Sequence, residues 1–178
     1  MSVDPDSYIS LADQARFRRQ ASKVWGIAIA VVALWVAATV LPPVLAAGGE
    51  NGLAAPFYRF FSFVCHQLPD RSFHILEHQF AVCSRCFGVY FGLLAGLLLY
   101  PLIRRLDDIQ PLPRIWLFAS MVPIAIDWSL GVFDVWENTH ASRFITGLIL
   151  GVACAVYIVP ALVEIVRNFS RKTASNIH

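Results

Sequence analysis

Charge is scarce in this chain: Asp, Glu, Lys and Arg together make up 15% of its 178 residues, against 57% hydrophobic ones. A soluble domain rarely carries so little. The mean hydropathy of +0.61, with several apolar stretches near the roughly 20 residues that a bilayer-spanning helix requires, points to a membrane protein. The formal net charge of +2 is too small for a nucleic-acid footprint, and the chain lacks the basic stripe with interleaved aromatics that such a footprint needs. Cysteine is also sparse, with four in all. Three of them fall close together, and three cannot all pair with one another within one chain.

What is present in abundance is apolar helix. Four spans are expected at about 24–47, 83–103, 113–133 and 144–166, helical because only a self-bonded backbone crosses lipid as an isolated segment. The fold class is therefore all-α: a polytopic four-helix bundle, with an N-terminal arm over 1–23, a single membrane domain over 24–166 and a tail over 167–178. Arg16, Arg18, Arg19 and Lys23 precede the first span, and Ala46, Ala47 and Gly48 follow it, as in a signal peptide. Its apolar run exceeds the roughly 7–15 residues of a signal core, so a retained anchor is expected. Pro42 and Pro43 should kink or end that span.

The cations orient the bundle. The arm holds four, the connection between the second and third spans holds Arg104, Arg105 and Arg114, and the tail holds Arg167, Arg171 and Lys172; the opposite side has Arg59, Arg71, Arg85 and Arg143. Ten against four puts both termini in the cytoplasm of a cell whose cytoplasmic membrane the chain spans. Trp25 and Trp116 at one interface, with Trp128 and Trp136 at the other, fit aromatic belts. Cys65, His66, Cys83 and Cys86 then face outward.

Outside the cytoplasm thiols are not kept reduced, so exposed cysteines become disulfides unless a metal holds them. Cys65-His66 and Cys83-Ser84-Arg85-Cys86 form a C-H-x16-C-x2-C pattern. It offers a Cys3His ligand set for zinc, or a dithiol for redox chemistry. Cys154, mid-span, reads as packing.

The connection from 48 to 82 carries further signals. Leu53 to Val64 has five aromatic residues around Arg59, a composition suited to an interfacial or re-entrant helix. His74, Glu77 and His78 match H-x-x-E-H, in which two histidines bind zinc and the glutamate acts as base. That pattern also needs a carboxylate ligand and a catalytic domain, so a solvated face on a short loop helix is the plainer reading. Within the spans, Asp127 is costly unless paired or wet, with Arg71, Arg85 and Arg143 as its natural partners. Gly88, Gly92 and Gly96 on the second span, and Gly147, Gly151 and Ala155 on the fourth, form small-residue stripes. They allow these two spans to pack, or a membrane-protein partner to dock.

Cys65-His66-Gln67, Arg71-Ser72-Phe73, Cys83-x-Arg85-Cys86-x-Gly88-x-Tyr90-x-Gly92, then Asp127, Asn138, Arg143 and Thr146-Gly147 resemble the pattern of a family of small prokaryotic membrane proteins, domain of unknown function 2085. The resemblance covers about residues 57 to 151. It implies an integral membrane protein with this polar set as its shared site, and it lends no activity. Phe87 stands where that pattern has a small or hydroxyl residue, which bears on access to Cys86. A weaker similarity links the C-x-x-C at the outer end of a span to quinone-linked disulfide oxidoreductases, although the second cysteine pair of those enzymes is missing.

The leading expectation is a thiolate-rich zinc site on Cys65, His66, Cys83 and Cys86. Around it, Arg71 would hold an anionic group such as a lipid phosphate, and Asp127, Arg85 and Arg143 would serve any catalytic step. Two alternatives stand beside it: a thiol–disulfide membrane oxidoreductase that uses quinone, and a non-enzymatic accessory subunit in which the same site is a staple.

Overall fold

Four helices carry the apolar runs: α1 (Leu11–Ala47), α3 (Ser84–Ile103), α4 (Ile115–Val132) and α5 (His140–Ser175), with the short α2 (Asn51–Phe61) between the first two. The structure, a computed structural model, describes residues 11–110 and 112–175, with side chains from 14 to 169. Residues 1–10 of the expected arm and 176–178 of the expected tail lie outside the described residues, as do the side chains of Arg171 and Lys172. Among the described residues, these four helices are long and apolar enough to cross a membrane. Their outward faces expose Ile27, Leu34, Leu98, Phe118 and Ile126. Apolar surface on that scale suits hydrocarbon rather than water.

The helices overrun the expected spans at one end. α1 begins at Leu11 rather than near residue 24, and α5 continues to Ser175 rather than ending near 166. Neither overrun contains glycine or proline, and both are rich in good helix formers, so nothing stops the helix where the apolar pattern stops.

α3 and α5 make the central contact. A β-carbon at Gly88 would overlap the Phe144 carbonyl, one at Gly92 the Leu148 backbone, and one at Gly96 would lie 3.0 Å from the Val152 Cα. From the other side, Gly147 meets the Arg85 carbonyl and Gly151 the Val89 carbonyl. The paired numbers rise together, so α3 and α5 run parallel and begin at the same end of the bundle. Both small-residue stripes are consumed by this contact. They are therefore not free to dock a partner, which corrects one of the two uses the sequence suggested for them.

α1 packs antiparallel on α3. The Trp25 indole donates to the Leu97 carbonyl at 2.8 Å, so Trp25 is tied into the bundle and does more than mark an interface. Pro42 and Pro43 do not end α1, which continues to Ala47. Pro43 has no N–H to offer the Thr39 carbonyl, and the Ala81 amide takes it instead, at 3.1 Å. Thr39 and both prolines are fully buried at this junction. The loop before α3 is thus stitched to α1 where proline leaves a carbonyl open.

α2 occupies most of the expected interfacial segment. The H-x-x-E-H stretch is a hairpin and not a helix: β1 (His74–Ile75) pairs antiparallel with β2 (His78–Gln79) across Leu76 and Glu77, which take φ of 48° and 68°. His74 faces Gln79 and Ile75 faces His78, so the histidines are not opposed. They lack the shared helical face that the zinc pattern requires.

Replacing Gly92 with leucine is expected to destabilise the protein by about 1–3 kcal/mol or more, because a backbone has to move. Gly26→Leu, at a position with open space around it, should leave stability nearly unchanged. Thermal unfolding of the two variants in detergent checks the contrast.

Candidate thiol and arginine site

Cys65 ends the turn that follows α2, its amide bonded to the Phe61 carbonyl at 2.9 Å. Gln67, in the left-handed region at φ 49°, turns its side chain back. Its Nε2 donates to the carbonyls of Tyr58 and Ala81, each at 2.8 Å. That clamp fixes the loop against the segment leading into α3. Cys83 is the residue before α3 and Cys86 lies within its first turn, at a spacing that puts both on one side of the helix.

The sulfurs of Cys65, Cys83 and Cys86 all lie within 4.8 Å of one another, and no disulfide joins them. The Cys83 amide donates to the Cys65 sulfur at 3.2 Å. The surrounding wall is apolar and aromatic, with Phe61, Val82, Trp35 and Tyr90. The Cys83 and Cys86 thiols facing its sulfur, helped by the Cys83 amide, outweigh burial and hold the Cys65 pKa far below the ordinary thiol range. Such an arrangement stabilises a thiolate, the form that binds metal or attacks a disulfide.

His66 is exposed and stands outside the sulfur group. Neighbouring side chains on non-helical backbone diverge, so the chain that delivers Cys65 inward turns His66 outward. The expected Cys3His set is thus three thiols.

Arg85 points the other way from the thiols on α3. It forms an ion pair with Asp127 of α4, which is 9% exposed. Asn138 completes the arrangement, its Nδ2 donating to the Asp127 carbonyl at 2.6 Å and to the carboxylate at 3.3 Å. Of the three arginines considered as partners for Asp127, Arg85 is the one that pairs. Arg143 lies within electrostatic range of Arg71, Arg85, Asp127 and Cys83, and among the described residues neither Arg71 nor Arg143 forms an ion pair. The Thr146 hydroxyl is turned back onto the Ser142 and Arg143 carbonyls of its own helix, away from the site.

Ser84 is the residue that motif reading passed over. It is fully buried, donates to the Arg71 carbonyl at 2.9 Å, and sits 2.9 Å from His140 Nδ1. It therefore joins the loop, α3 and the start of α5. A hydroxyl between Cys83 and Arg85 was the visible signal. Phe87 stacks on Phe91 and Phe144 and meets Phe73 and Phe80 edge-on, where a small residue would leave a void.

Fold and site together define an integral membrane protein of all-α architecture with a three-thiol cluster, able to bind metal, at one end of its bundle. A family model described as "Predicted membrane protein (DUF2085)" matches residues 65–157, from Cys65 through α3, α4 and the first half of α5, and the chain belongs to that family. An uncharacterised protein of Methanocaldococcus jannaschii is 42% identical over 110 residues, covering 61% of this chain and 70% of its own length. An uncharacterised protein of Methanothermobacter thermautotrophicus is 34% identical over 98 residues, 54% of this chain and 85% of its own. No solved structure matches.

Asp127→Leu is expected to cost about 3–5 kcal/mol by stranding Arg85, and Arg85→Met combined with it should recover much of that loss. Unfolding midpoints of the single and double variants measure the difference.

Proposed function

We propose that this is a multi-pass protein of the cytoplasmic membrane, with both termini inside, that binds a soft metal ion through Cys65, Cys83 and Cys86 near the outer face. The observation that carries the reading is the convergence of three sulfurs from two separate segments within 4.8 Å. Thiolates favour zinc or copper(I) over magnesium or calcium, and zinc suits a site where redox inertness protects the thiols. Three protein ligands leave one position for water or a substrate group, the pattern of zinc sites that act rather than merely staple. When bound, the metal supplies Lewis acidity. The protein's part is to keep Cys65 ionised and to wall the sulfurs in with Trp35, Tyr90 and Phe61.

The test is elemental analysis of the purified protein with thiol labelling. About one zinc per chain, with the three thiols released by chelation alone, is the expected result. No metal, and two thiols appearing on reduction, would sink the metal reading.

One observation favours thiol–disulfide exchange as the second reading. A groove of about 500 Å³ lies between α1 and α2, lined by Val31, Leu34, Trp35, Phe57, Phe60 and Phe61; Trp35 and Phe61 also wall the thiols. A lipid-soluble quinone fits such a groove in size and polarity. Two thiols would then close to a disulfide, and their two electrons and two protons would reduce the quinone to the quinol. Cys83→Ser separates both chemical roles from that of an accessory subunit: loss of accumulation supports a structural staple, and a stable protein that has lost its metal, or its thiol–disulfide exchange, supports chemistry at the site.

A further inference from the structure

Two helices begin side by side at the cysteine end, and three guanidiniums gather over their first turns. Arg85 is the second residue of α3 and Arg143 the fourth of the parallel α5. Arg71 closes the 3-10 turn Pro69–Arg71, and its carbonyl is fastened to Ser84 at the start of α3. Parallel helices add their positive N-terminal dipole ends, and the α3 terminus has no side-chain cap.

The charges here do not balance. Asp127 neutralises Arg85, whereas Arg71 and Arg143 have no carboxylate partner among the described residues. Asp70, Asp134 and Glu137, nearby in sequence, are exposed and pair with none of the three. Arg85 is itself mostly withdrawn from water, with a side-chain exposure of 22%, and its Nε is buried without an acceptor. Surplus like charge at a partly desolvated site is costly unless something neutralises it. Guanidiniums with free donors are suited to planar or tetrahedral oxyanions.

We propose that Arg71 and Arg143, with the free edge of Arg85 and the α3 N-terminus, bind a phosphate-class oxyanion, either free phosphate or the headgroup of an anionic lipid. Arg85 leaves α3 toward Asp127 of α4, whereas the thiols pack toward α1 and α2; the two groups adjoin at the α3 N-terminus, where Cys83 lies within electrostatic range of Arg143. Arg71 is exposed, and Arg85 is held by Asp127.

The test uses the full chain in a neutral detergent, titrated by calorimetry with inorganic phosphate and, separately, with short-chain phosphatidylglycerol and phosphatidylcholine. Saturable binding of phosphatidylglycerol but not phosphatidylcholine, weakened at least tenfold by Arg71→Gln or Arg143→Gln, supports the site and identifies a lipid headgroup as occupant. Binding of inorganic phosphate with the same sensitivity supports it with a free anion. No binding of either anion, equal binding of phosphatidylcholine, or binding that neither variant weakens overturns it. Arg71→Gln decides the matter if Arg143→Gln fails to fold, because Arg71 is at the surface.

Discussion

Backbone contact between α3 and α5 is the constraint on which the rest depends. Lipid tails are as apolar as the side chains they meet, so helices in a membrane gain little from hiding leucine. Close approach through glycine, with dense dispersion contact and nothing projecting between the backbones, is what holds this pair. Because the stripe on α3 meets its counterpart in rising register, the two N-termini are brought level. Arg85, Arg143 and Ser84 are neighbours as a consequence.

A second constraint acts across α1. Pro43 cannot continue the hydrogen-bond ladder, and the carbonyl it leaves unpaired receives the Ala81 amide. A bilayer-embedded helix would bear an unsatisfied carbonyl poorly, and the loop that satisfies it carries Cys83 into place. Gln67 ties Cys65 to the same strip of backbone. Proline's missing donor and one amide side chain thus help to place the segments that carry the thiols.

These two constraints divide the polar end of the bundle along α3. One side presents Cys83, Cys86 and Tyr90 to α1 and α2 within an aromatic wall; the other presents Arg85 to Asp127 and Asn138. The ring of arginines around the cysteines that the motif spacing suggested is opened out, with Arg85 turned to Asp127 of α4 and the sulfurs gathered toward α1 and α2.

Much was readable from residue types alone. Long apolar runs mark the four membrane helices, since length and hydropathy are local properties. The paired glycine stripes marked α3 and α5 as neighbours, and an intramembrane Asp127 announced a cationic partner, because each is intolerable without one. The helix ends were less legible, since good helix formers carry α1 and α5 past the apolar pattern. Only the tertiary structure decided that His66 turns away while Cys65 turns in, that H-x-x-E-H is a hairpin, that Arg85 rather than Arg71 or Arg143 takes Asp127, and that Ser84 is a hub. Each of those depends on where a side chain points in a loop or at a helix end. For Arg85 and Ser84 that orientation is set by partners distant in the chain, which no local pattern encodes.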